Sequence, residues 1–150
     1  MTTIIKQDDL IISVKDALQF ISYYHPQDFI QAMSRAYDRE ENQAAKDAIA
    51  QILINSRMCA EGHRPICQDT GIVNVFLEVG LDVKFDLTMS LDDAINEGVR
   101  QGYLENSNIL RASVLADPAF GRKNTKDNTP AVIHYKLVPG NKVDITVAAK

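Results

Sequence analysis

Apolar residues recur every three or four positions through the first third of the chain. They fall at Leu10, Ile11, Val14, Leu18 and Ile21, then at Phe29, Ile30, Met33, Ala36 and Tyr37, then at Ala45, Ala48, Ile49, Ile52 and Leu53. That spacing puts each set on one face of an α-helix. Asp8 or Asp9 offers an N-cap for the first helix, and His25-Pro26 ends it. Pro26 suits the first turn of the second helix, because its missing N–H would be unsatisfied there anyway. The polar run Asp38 to Asn42 separates the second helix from the third, and Gly62 stands where a left-handed residue closes a helix.

From Ile72 the period changes to two. Val73, Val75, Leu77 and Val79 share one face of a strand, while Ile72, Asn74, Phe76 and Glu78 give a mixed opposite face. Val83-Lys84-Phe85 adds a short strand after the break at Gly80 and Asp82. Ser90, with Asp93 three residues on, forms a capping arrangement for a helix striped by Leu91, Ala94, Ile95, Val99 and Tyr103. That helix gives out by Asn106-Ser107-Asn108. Residues 117–130 hold two prolines, a glycine and many polar residues, and read as a long loop of the kind that often carries function. Residues 132–138 and 143–149 alternate about Pro139-Gly140-Asn141-Lys142, which predicts a β-hairpin closed by a type II turn. The whole reads as one α+β domain over residues 1–150, with N-terminal helices packed on a mostly antiparallel sheet that contains the hairpin. The chain stops at Lys150 directly after an apolar strand, which suggests a piece of a longer polypeptide.

Composition narrows the function classes. With 45% apolar and 24% charged residues, the chain has the balance of a soluble globular protein. A net charge of −4 argues against a general nucleic-acid or acidic-membrane partner. Cations gather locally at Arg64, Arg111, Arg122, Lys123 and Lys126, which keeps a small anion as a fair ligand. There is neither a long apolar run after a basic start nor a membrane-length segment, and the two cysteines, eight residues apart, fit reduced thiols in the cytoplasm.

The densest chemistry lies in Arg64-Pro65-Ile66-Cys67-Gln68-Asp69-Thr70-Gly71, between the third helix and the first long strand. Pro65 stiffens the segment and Gly71 permits a turn or close approach. A lone cysteine is usually a small buried hydrophobe. Gln68 and Asp69 beside Cys67 make an apolar pocket a poor home for it and suit a thiolate metal ligand among hydrogen-bonding groups. A Cys-His nucleophile is the competing chemistry, with His63 or His134 as base, although no spacing favours it. Cys59, inside the third helix, reads as a core thiol. Asp69 is a general acid or base, a partner for a substrate hydroxyl, or simply a turn cap. Arg111 is either a bidentate carboxylate clamp or a solvated cation. The three histidines read as surface or structural groups. Residue types and spacings alone support an anion site near a possible thiolate ligand.

Cys67-Gln68-Asp69-Thr70-Gly71 entering a Val/Ile-rich strand resembles the signature of class I fumarases, the iron–sulfur hydro-lyases that include the tartrate dehydratase alpha subunit. Asn108-Ile109-Leu110-Arg111, after a helix bearing Glu97-Gly98-Val99, resembles that family's substrate-arginine segment, and the ending from Val143 to Lys150 is also similar. The likeness covers nearly the whole chain, with the first sixty residues matching in helical character. It implies the first part of an alpha-type catalytic domain in which Cys67 gives one of three thiolates to a [4Fe–4S] cluster, the others lying beyond Lys150. It further implies that Gln68, Asp69 and Arg111 hold a small dicarboxylate, fumarate or malate, with Asp69 a candidate for proton transfer. A cytoplasmic homodimer is implied for the complete protein, with no nucleic acid or membrane partner, and no turnover by these 150 residues alone. Tartrate dehydratase is the alternative enzyme, and a non-catalytic α+β interaction module the alternative of another class.

Overall fold

The computed structural model describes residues 2–67 and 71–149. The chain divides into two compact units, one made of residues 1–19 and 68–150 and the other of residues 20–67.

The first unit is built around β2 (Val73–Gly80), the middle strand of a three-stranded sheet ordered β4-β2-β5. Val73, Val75, Leu77 and Val79 are all buried, as the period-two pattern requires. The opposite face is wetter, and there the strand uses cross-strand pairs with β4 (Val132–Val138). Phe76 stacks on its register partner His134 at 4.7 Å, and Glu78 takes an ion pair from its partner Lys136.

The α+β class stands, but the sheet is mixed rather than mostly antiparallel. β2 runs parallel to β4 and antiparallel to β5 (Val143–Ala149). β4 and β5 are therefore not a hairpin, since β2 lies between them. The four residues from Pro139 to Lys142 arch over the end of β2, where Gly80 N–H donates to Lys142 O, Leu81 N–H to Val138 O and Asp82 N–H to Gly140 O. Two strand spacings are about 10 Å, within the reach of four extended residues, so a short connection permits an intervening strand. A two-stranded ribbon completes the unit: β1 (Thr3–Lys6), too short to show a periodic stripe in the sequence, runs parallel to β3 (Val83–Asp86).

Two helices carry most of the rest of this unit's core. The part of α1 (Gln7–Tyr23) that belongs here buries Leu10, Ile11, Val14 and Leu18, while α4 (Leu91–Tyr103) buries Ala94, Ile95, Val99 and Tyr103. Asp8 and Asp9 sit inside the first turn of α1, near the positive end of the helix, and not at its cap. Ser90 caps α4 as expected: its Oγ accepts from Asp93 N–H and donates to the Asp93 carboxylate. Gly98 and Gly102, one turn apart, let the backbone of α1 approach α4 closely. At the end of α4, Gln19 Nε2 donates to Gly102 O at 2.7 Å and to Asn108 O at 2.9 Å. Asn108 Nδ2 returns a bond to Gln19 Oε1, so buried polar groups near the helix terminus satisfy one another.

The second unit pairs α2 (Gln27–Arg39) with α3 (Gln43–Gly62). Asn42 caps α3 by accepting from Ala44 and Ala45 N–H. The expected α3 stripe is only half right, because Ile52 is 43% exposed and the buried residues are Ser56 and Cys59. Gly62 is the last helical residue, and His63, at φ 47°, takes the left-handed closing position one residue later than expected.

Candidate active site

Cys67 ends the helical unit on a segment braced by its neighbours. Arg64 N–H bonds to Cys59 O, Ile66 N–H to Ser22 O, and Asn55 Nδ2 donates to Ile66 O. His63 stacks on Tyr23 at 4.6 Å with Nε2 3.5 Å from the Tyr24 hydroxyl, which gives it a structural role. His25 is likewise engaged, stacked on Phe29 and 3.0 Å from Ser56 Oγ, and burial lowers its pKa. Two cysteines with different surroundings result. Cys59 is 6% exposed, with Sγ directed at Asn55 Oδ1 and Pro65 O, whereas Cys67 is an exposed thiol. Gln68 and Asp69, the residues expected to share substrate binding with Arg111, lie outside the described residues, as does Thr70.

In the sheet unit, Arg111 is exposed and sits between two fixed points. On one side, Leu110 is buried and its N–H bonds to Tyr103 O at the end of α4. On the other, the N–H groups of Ser113 and Val114 both donate to Asn128 Oδ1, at 2.7 and 3.0 Å. Asn128 is fully buried, holds a left-handed backbone at φ 62°, and donates through Nδ2 to Gly71 O at 2.9 Å. Ser113 Oγ donates to that same carbonyl, also at 2.9 Å. Gly71, itself at φ 60°, thus has its carbonyl saturated by two donors from the Arg111 side of the unit.

The long loop predicted over 117–130 has an internal structure. Ala116 N–H bonds to Lys123 O, Arg122 N–H to Asp117 O and Thr125 N–H to Val114 O, around a bridge between Leu115 and Asn124. Asp117 accepts from the N–H groups of Gly121 and Phe120, which hold its carboxyl below the usual range. This tip carries the exposed cations Arg122 and Lys123. Asn128 was hidden inside the stretch read as a loop. Its one local signal is that asparagine tolerates the left-handed region better than most residues, and Asn124 and Asn108 offer the same signal.

Chemically, the arrangement presents an exposed thiol in one unit and, in the other, an exposed guanidinium on a chain segment anchored on both flanks. Among the described residues, no three His, Cys, Asp or Glu side chains gather into a metal site, and no helix is long and apolar enough to cross a membrane.

Comparison with known proteins gives a consistent result. The family model for fumarate hydratase (Fumerase) matches residues 11–150. A Methanocaldococcus jannaschii protein provisionally named L(+)-tartrate dehydratase subunit alpha is 33% identical over 105 residues, covering 70% of this chain and 35% of its own. The L(+)-tartrate dehydratase subunit alpha of Escherichia coli K12 is 26% identical over 121 residues, covering 81% and 39%. The chain thus spans little more than a third of the length of these curated relatives.

Proposed function

We propose, from the premise that this chain belongs to the fumarate hydratase family, that the complete protein catalyses the reversible hydration of fumarate to malate. Hydroxide is a poor leaving group and the proton lost with it is weakly acidic. Catalysis therefore needs positive charge where the carboxylates sit and a group placed to move the proton. Arg111 supplies the first, since its planar guanidinium matches a carboxylate in shape and charge. Gln68 supplies a hydrogen bond to the substrate and Asp69 moves the proton.

The donor chemistry of the chain fits a family iron–sulfur group at one point. Cys67 is exposed on a braced segment and would give one thiolate to a [4Fe–4S] cluster, whereas Cys59 is committed to the interior of the helical unit. When bound, the cluster supplies Lewis acidity toward the substrate hydroxyl. The remaining ligands come from outside the described residues. We place the protein in the cytoplasm, as a homodimer.

The observation that supports the reading best is the double grip on Gly71 O from Ser113 and Asn128, which ties the residue that follows Gln68-Asp69-Thr70 in sequence to the segment bearing Arg111. The names of the relatives favour a second reading, the alpha subunit of an L-tartrate dehydratase working by the same chemistry. Anaerobic purification of the complete protein, followed by assays with malate, fumarate and L-tartrate, separates the two. Faster turnover of tartrate than of malate would replace the first reading with the second, and a lack of turnover of all three after iron–sulfur reconstitution would overturn both.

A further inference from the structure

We propose that Asn128 and Ser113 are positioning residues for the dicarboxylate site, acting together on the carbonyl of Gly71. The inference rests on the reading that this chain carries a hydro-lyase site. The chain enters Gly71 directly from Gln68, Asp69 and Thr70, so anchoring Gly71 anchors one end of that segment. The anchors come from either side of the loop that follows Arg111: Ser113, two residues after the guanidinium, and Asn128, where the chain returns. Asn128 also takes the N–H groups of Ser113 and Val114 on one oxygen. A single buried amide therefore fixes the spacing between the Ser113–Val114 backbone, just after Arg111, and the backbone at Gly71. Burial of Asn128 without these bonds would be costly, as would its left-handed backbone. A loop that needed only to be closed could be closed by backbone bonds such as those between Ala116 and Lys123. The amide instead spends its N–H on a residue 57 positions away.

The two ends of Asn128 can be tested separately. Asn128→Asp keeps an oxygen for Ser113 and Val114 N–H but removes the donor to Gly71 O. Ser113→Ala removes the second donor to the same oxygen, and Ser113→Thr restores it. In the complete protein, reconstituted with iron and sulfide, Asn128→Asp is expected to raise KM for the dicarboxylate about tenfold, the scale of one lost hydrogen bond. Ser113→Ala is expected to raise it several-fold, and Ser113→Thr to return it to the wild-type value. Hydrogen exchange at Ser113 and Val114 should stay slow in Asn128→Asp, and the iron content should be unchanged. KM does not depend on the fraction of folded enzyme, so a merely structural role would leave it unmoved. Wild-type KM in both Asn128→Asp and Ser113→Ala would overturn the proposal, and if Asn128→Asp fails to fold, the Ser113 pair decides alone. A wild-type protein that turns over no dicarboxylate would instead overturn the hydro-lyase reading.

Discussion

Gly80 lies against the carbonyl of Gly140: a Cβ built at position 80 would stand 2.4 Å from that oxygen and 2.9 Å from Lys142 N. Both neighbours are backbone, and both belong to the connection that arches over β2. Gly80→Ala must therefore displace the arch or break the bond from Gly80 N–H to Lys142 O. We expect a loss of roughly 3 kcal/mol, the upper end of the overpacking range, by chemical denaturation. Gly140→Ala meets no atom within 4 Å and suffers only from its φ of 113°, a cost of about 1–2 kcal/mol. The reverse order would show that the arch yields easily.

The glycines of α4 give a second graded pair. A Cβ at Gly98 would lie 2.8 Å from Ile11 O and 2.8 Å from Val14 Cβ, whereas one at Gly102 would meet Leu18 side-chain atoms at 3.2 and 3.3 Å. Alanine gains about 1 kcal/mol of helix propensity at either site. Gly98→Ala is expected to be net destabilising by about 1–2 kcal/mol, and Gly102→Ala close to neutral. Equal stabilities in urea unfolding would contradict this packing.

The two cysteines should differ in reactivity before any question of activity arises. Under native conditions without iron, iodoacetamide is expected to label Cys67 within minutes and Cys59 only after unfolding. In the complete enzyme, Cys67→Ala should lose cluster absorbance and activity together, while Cys59→Ala keeps both. A Cys67→Ala enzyme that retains its cluster would end the iron–sulfur assignment of that thiol.

Arg111→Ala is expected to keep the cluster and lose about two orders of magnitude in kcat/KM, from about 2–5 kcal/mol of uncompensated substrate charge. Arg122→Ala and Lys123→Ala, on the exposed tip, should change it less than threefold, because salt screens such charges. Steady-state kinetics on the three variants checks this, and the placement of the carboxylate is wrong if Arg122 proves the sensitive cation.

Glu97 offers a pH test. Hydrogen bonds from Arg100 draw its pKa from an ordinary 4.5 to about 2, helped by a bond from Gln101. A depressed carboxyl stabilises the fold fully above its unfolded value. That contribution starts to fade below about pH 4.5 and is gone once pH has fallen through about 2. In Arg100→Ala the Glu97 titration should move up toward the ordinary range, which side-chain carbon NMR shifts would follow. High salt should move it the same way in the wild type, since the pair is partly exposed.

The sequence showed most clearly those elements whose burial is one-sided. The α1 and α4 stripes and the alternation of β2 were legible because each buries most of one face. The α3 stripe was blurred because its inward face is shallow, leaving Ile52, Ile54 and Met58 exposed. The supposed hairpin had the right strands and the wrong pairing, since local alternation cannot reveal a third strand inserted from 58 residues away. Gly80 looks in sequence like a strand breaker, but it is the last residue of β2 and gives clearance beneath Gly140. Cys67 and Arg111 stood out through their motifs, while Asn128 did not, because its meaning depends on a distant carbonyl.

The central place of β2 also dictates an order of events during synthesis. Its partners in the described sheet are made last, with Val132 emerging 58 residues after Asn74 and the closing strand ending at Ala149. At roughly 5–20 residues per second, the ribosome leaves the segment Val73–Gly80 without partners for about 3–12 seconds. That segment is β-prone and carries a single charge, at Glu78, close to the composition that nucleates intermolecular pairing. A nascent chain arrested ahead of Val132 is therefore expected to leave that strand open to chaperones, whereas synthesis through Ala149 supplies both of its partners.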